Sequence, residues 1–212
     1  MMNQVLCFGD SNTWGYNPYT KDRFPLRTRW TGRLQGKLLN KDVRILEEGL
    51  CGRTTIFEDA TRAGRKGIDK IKEIFSSSNA IDAVVLMLGT NDCKTYNHST
   101  AEDIAAGIDN CLEIVLKHVS AEHVLLLSPI YLGENVWKEG YDTEFCKESI
   151  NVSKELKNEY LKVAKRRGVR FIPASDYALP CKEDQEHLNE NGHRQLAEVI
   201  YKEILEMNLQ NK

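Results

Sequence analysis

The chain has 212 residues, 28% of them charged, and a net charge of −2; this length suits one domain, residues 1–212, able to bury most of the surface that its unfolded chain exposes. So balanced a charge creates no field that would draw in nucleic acid or an anionic membrane, and neither is expected as a partner. The N-terminal apolar stretch lacks a basic segment before it and is broken by Gly9 and Asp10, so neither a secretory signal nor a membrane span is expected, and the expected location is the cytosol.

Val5 to Phe8 is continuously apolar, as a parallel strand covered on both faces should be, and it stops at Gly9 to deliver Asp10 and Ser11. Residues just beyond the carboxyl end of such a strand are where open α/β sheets build their sites, although Ser, Asp and Gly are also ordinary turn residues. Residues 12–28 carry Pro18, Pro25 and mixed charge and read as loop. Trp30, Leu34, Leu38 and Leu39 recur near helical period, so a helix is predicted over 30–39, followed by a strand over 43–48 and a long connection over 49–64. Loops of that length inside compact domains tend to be functional. Ile68, Ile71, Ile74 and Phe75 mark one face of a second helix, and residues 83–88 form a central strand. Thr100 as cap, with Glu102 and Asp103 in the first turn, starts a third helix. A strand over 124–127 comes next, then an insertion over 129–145 with Tyr131, Trp137, Tyr141 and Phe145, a charged helix ending near Arg167, a strand over 169–172 and a last helix over 191–207. Strands alternating with helices along the whole chain predict a parallel sheet with helices on both faces.

Cys7, Cys93 and Cys111 sit in apolar or helical surroundings and read as small buried hydrophobes, and the six cysteines of an intracellular chain are expected as thiols. Cys51, in the turn between Gly49 and Gly52, reads as packing close to a site. His98, His118 and His123 have no metal-ligand spacing, so no metal is assigned. The basic run from Lys162 to Arg170 closes a helix, where cations suit the macrodipole, and reads as a solvated helix end.

Four blocks carry a resemblance. Gly9-Asp10-Ser11, Gly52 after Leu50 and Cys51, the run from Gly89 through Thr90 and Asn91 to Asp92, and the run from Asp184 to His187 resemble, in order and spacing, the blocks of the SGNH (GDSL-type) hydrolases. The flanks Thr13-Trp14-Gly15, Arg29-Trp30-Thr31-Gly32, Glu47-Glu48-Gly49-Leu50 and Arg53-Thr54-Thr55 are similar to the bacterial arylesterase and acyltransferase branch. The departure is Asn12, where the eponymous pattern has Leu. The resemblance implies a flavodoxin-like order for a five-stranded parallel sheet, a serine esterase without a cofactor, and, since oligomers are frequent in that branch, a homo-oligomer.

The residues suit that chemistry. A serine hydroxyl needs a base to take its proton as it attacks an acyl carbon, and in Asp184-x-x-His187 the carboxylate and the imidazole can share one turn, with Asp184 holding one ring nitrogen protonated while the other faces Ser11. His193 is the second candidate base, but at the start of a helix it is expected to face solvent or cap that helix. The resemblance assigns the oxyanion hole to the backbone N–H groups of Ser11 and Gly52 and the side-chain amide of Asn91; Gly permits close backbone approach and Asn supplies an N–H donor. Asp10, Trp14, Lys94 and Glu186 are the candidates for contact with substrate. Trp14 would line the acyl pocket or else the core, and Lys94 and Arg53 would add positive potential near the oxyanion or else sit exposed. Glu186 stands where many relatives carry an apolar residue, which favours a polar leaving group such as a sugar.

The expected function is hydrolysis of short-chain esters, acetyl above all, of small alcohols, phenols or carbohydrates through an acyl-enzyme. Acyl transfer or perhydrolysis by the same acyl-enzyme is the alternative within enzymes, and a non-catalytic carbohydrate-binding or assembly protein is the alternative outside them. The aromatic insertion is expected to form a subunit contact that narrows the site, or to fold back on its own domain.

Overall fold

The computed structural model describes residues 2–59, 61–77 and 80–209. Its sheet has five parallel strands in the order β2-β1-β3-β4-β5, with β1 Asn3–Gly9, β2 Val43–Gly49, β3 Ala83–Met87, β4 Val124–Ser128 and β5 Arg170–Pro173. The helices are α1 Ser11–Trp14, α2 Trp30–Lys37, α3 Gly67–Ser76, α4 Ala101–Val115, α5 Lys147–Arg167 and α6 Glu190–Glu206.

The period-2 geometry of a strand divides each apolar run between two layers. Leu6, Phe8, Val84, Leu86, Val124 and Leu126 face a core shared with α3, α4 and α5. Val5, Cys7, Val85, Met87, Leu125 and Leu127 face the opposite core, shared with α2 and α6. Burying one such side chain fully contributes ~1.5–3 kcal/mol, which is why these strands read as unbroken apolar runs. Thr100 caps α4 in a reciprocal pair with Asp103.

The strand order reverses at β1 and β3, and a cleft opens beyond the carboxyl ends of such neighbouring strands. The sequence read as loop after β1 contains one helical turn, α1, whose N-cap is Asp10: its carboxylate accepts the N–H of Asn12 at 2.9 Å. That turn sits directly on the end of β2, because a Cβ on Gly49 would lie 2.1 Å from the backbone nitrogen of Trp14.

The insertion folds back on its own chain. Leu132, Val136 and Phe145 are buried in the α3–α5 core, Tyr131 is half-buried, and Trp137 and Tyr141 are 37% and 36% exposed. The ring of Phe145 lies 5.5 Å beneath the ammonium of Lys94. No described helix is long and apolar enough to cross a membrane.

Candidate active site

The three groups predicted to act together meet at the carboxyl end of the sheet. Asp184 Oδ2 lies 2.7 Å from His187 Nδ1, and His187 Nε2 lies 2.8 Å from Ser11 Oγ. An ionised carboxylate only accepts, so Nδ1 carries the ring proton; in the neutral imidazole Nε2 is then the acceptor for the serine hydroxyl. Asp184 Oδ1 accepts the backbone N–H groups of Glu186 and His187 at 3.1 and 3.0 Å. Burial pushes this carboxyl up, but the bond to His187, the imidazole charge and the two N–H groups outweigh it and hold it below the usual range. Burial pulls the imidazole down, yet the charges of Glu186 and Asp184 and the Asp184 bond leave it above its ordinary value.

The turn that presents His187 needs support, since Gln185 adopts a left-handed φ of 64°. The insertion supplies it: the N–H of Gly133 donates to the Gln185 carbonyl at 2.7 Å.

Asn91 and Gly52 come together through their neighbours. Asn91 Nδ2 donates to the Arg53 carbonyl at 3.1 Å, which holds the amide plane and leaves its second N–H for a ligand. The Arg53 guanidinium is buried over the Phe8 ring and donates to the carbonyls of Gly9 and Glu48, which ties the ends of β1 and β2 beneath the site. Burial lowers it only to about 10, so it stays charged. Asp92 accepts the N–H of Thr55 at 2.9 Å and the Thr55 hydroxyl, joining the Asn91 turn to the loop of Gly52. Gly52 itself has φ +79°, a conformation that side chains with a Cβ disfavour.

Ser11, Gly52, Asn91, Asp184 and His187 all line one cleft of about 380 Å³, together with Lys94, Glu186 and Cys51. Tyr16, Arg62, Tyr141 and Asp142 are among the other residues of its walls. The Tyr16 ring lies 4.3 Å from that of His187, centre to centre. Neither Tyr16 nor Arg62 was singled out from the sequence, and an aromatic or an arginine in a loop carries no signal there.

The structure places four further residues. Asp10 is 1% exposed and is not in the cleft wall; its carboxylate caps α1, and burial pushes it up to about 6. Trp14 is half-buried rather than in the core and is not among the residues that line the cleft; the Arg23 guanidinium lies 5.3 Å from its ring centre. For Lys94 only the alternative of exposure fails: it is buried and lines the cleft, its ammonium pairing with Glu144 and lying 3.6 Å from Asp142. His193 is fully buried rather than facing solvent, since its Nδ1 accepts the N–H of Trp30 at 3.3 Å and so caps α2, a neighbouring helix. Burial and nearby Arg33 pull its pKa down to about 3.

Glu186 is 7% exposed and faces the cleft, with Oε1 3.8 Å from His187 Nε2. Among the described residues no group of three or more His, Cys, Asp and Glu side chains lies so as to hold a metal ion. All six cysteines are free thiols, with Cys7, Cys93 and Cys111 buried.

Residues 7–195 match the profile of the GDSL-like Lipase/Acylhydrolase family. The chain belongs to that family. Two structures related to this GDSL-like hydrolase extend over nearly its whole length. One is Est24, a carbohydrate acetylesterase from Sinorhizobium meliloti, 32% identical, with 97% of this chain and 99% of that chain covered at a TM-score of 0.87. The other is the inhibitor-bound aryl esterase of M. smegmatis, 29% identical, with the same coverage and TM-score. No curated protein sequence matches the chain significantly. As a GDSL-type enzyme it is a carboxylic ester hydrolase.

Proposed function

We propose that this enzyme removes short acyl groups, acetyl above all, from hydroxyl-rich alcohols such as sugars, through an acyl-enzyme on Ser11. The observation that carries the reading is the chain of hydrogen bonds from Asp184 through His187 to Ser11 in a cleft whose wall includes the carboxylate of Glu186.

In the first half-reaction His187 Nε2 takes the Ser11 proton as Oγ attacks the acyl carbon. The oxyanion is held by the N–H groups of Ser11 and Gly52 and the free N–H of Asn91. On collapse the C–O bond to the leaving alcohol breaks and the imidazolium returns its proton to that oxygen. Asp184 keeps Nδ1 protonated throughout and stabilises the imidazolium. Water then enters and gives a proton to Nε2 as it attacks the acyl carbon; on collapse the bond from that carbon to Oγ breaks and the imidazolium returns the proton to Oγ, which releases the carboxylic acid and restores the Ser11 hydroxyl.

Glu186 would accept a hydrogen bond from a second hydroxyl of the leaving alcohol, which an aryl ester lacks. That preference agrees with the carbohydrate acetylesterase named above. A solely carbohydrate-binding role gives no reason for a base bonded to a serine hydroxyl. Free thiols fit a cytosolic enzyme, and the exposed rings of Trp137 and Tyr141, the latter on the cleft wall, fit a homo-oligomer contact.

The test is an ester assay on wild type and Ser11→Ala, followed by acetylated sugars against aryl acetates. Loss of turnover in the variant and a higher kcat/KM for sugar acetates are expected; turnover in Ser11→Ala, or a preference for aryl acetates, would overturn the mechanism or the substrate class respectively.

A further inference from the structure

The family's eponymous leucine is replaced here by Asn12, and the side chain of Asn12 is 3% exposed. Its Oδ1 accepts the N–H of Leu188 at 2.9 Å, and its Nδ2 donates to the Glu186 carbonyl at 3.5 Å. These two groups are the backbone on either side of His187. The main chain of Asn12 is also committed, its N–H to Asp10 Oδ1 at 2.9 Å and its carbonyl to the indole N–H of Trp30 at 3.1 Å.

We propose that Asn12 is a positioning residue that grips the backbone around His187 and so sets the imidazole against Ser11. The role rests on the reading of Ser11 and His187 as nucleophile and base. Its residue type follows from the geometry: one side chain must accept from residue 188 and donate to residue 186, which an amide does, a carboxylate does by half and an alkyl group not at all. Its place follows too. Asn12 adjoins Ser11 in the same helical turn, so its two hydrogen bonds tie the backbone beside the nucleophile to the backbone around the base, 176 residues away in sequence. Tyr16 against the ring and Asp184 at Nδ1 control orientation within the turn; Asn12 controls where the turn stands relative to Ser11.

A mispositioned His187 harms one class of substrate more than another. An alkyl or sugar ester needs the proton from Nε2 on its leaving oxygen, whereas 4-nitrophenolate departs without it. The experiment therefore compares kcat and KM for 4-nitrophenyl acetate and an acetylated sugar in wild type, Asn12→Leu, Asn12→Asp, Ser11→Ala and His187→Ala, measured on the alkaline plateau. Asn12→Leu is expected to lower kcat about 10- to 100-fold with KM within about twofold, and to lower kcat/KM several-fold more for the sugar ester than for the aryl ester. Asn12→Asp, which keeps the acceptor for Leu188 but turns a carboxylate oxygen towards the Glu186 carbonyl, is expected to fall between wild type and Asn12→Leu. Asn12→Ala replaces the leucine variant if that variant fails to fold, with the same expectation.

Equal losses on the two esters, or no loss, would overturn the positioning role. Activity in Ser11→Ala or His187→Ala would instead overturn the reading of the site on which it rests, so the two failures are distinct.

Discussion

Glu186 Oε1 lies 3.8 Å from Nε2 of His187, the ring nitrogen that also bonds Ser11. A negative charge there stabilises the imidazolium, and with Asp184 it outweighs burial and holds the imidazole above its ordinary value. The base acts when neutral, so kcat/KM should rise with pH, with a midpoint above the ordinary histidine value of about 6.5.

Glu186→Gln removes that charge and lowers the imidazole pKa, so the acid limb of the profile should move to lower pH. A pH series of kcat/KM on wild type and variant checks this. A limb that stays in place, or moves to higher pH, contradicts the electrostatic role of Glu186.

Asn91→Ala should lower kcat by about 10²- to 10³-fold, the usual cost of losing one oxyanion donor. KM should change little, because the donor matters chiefly to the charged intermediate. Steady-state kinetics on one acetate ester decides the matter, and a loss carried by KM would make Asn91 a contact to bound substrate instead.

Tyr160→Phe tests the support beneath the Asn91 turn. The buried Tyr160 hydroxyl donates to the Leu88 carbonyl at 2.9 Å, and Phe leaves that carbonyl without this partner. The expected loss is about 1–3 kcal/mol of stability. At about 2–4 °C per kcal/mol for a chain of this size, thermal melting should resolve it, and an unchanged Tm would show that the carbonyl finds another donor.

The parts of the molecule legible in its sequence are those set by local pattern. Apolar runs marked β1, β3 and β4, and Thr100 with Asp103 marked the start of α4. The strand order entered only through family resemblance, since pattern does not say which strands pair. The same division runs through the site. Ser11, Asp184 and His187 were legible from their blocks, but the burial of Lys94 and Arg53 was not. A charged side chain is ordinarily exposed, and the partners that make burial tolerable, Glu144 and the Gly9 carbonyl, lie 50 and 44 residues away. His193 likewise looked like a surface residue because its partner, the Trp30 N–H, is 163 residues distant. Asp10 shows the opposite limit: its place in the motif suggested substrate, whereas its local duty is to cap the turn that carries Ser11.

The hydrogen bond between Ser11 and His187 has a consequence for how the molecule comes into being. It joins the first strand's end to the loop before the last helix, so the pair forms only after the chain between them has wound into the sheet. Contacts this remote repay their loop-closure entropy late in folding. On the proposed mechanism, regained esterase activity is therefore a report on completed topology, and neither an N-terminal nor a C-terminal fragment would carry the chemistry, since each holds half of the proposed proton-transfer pair.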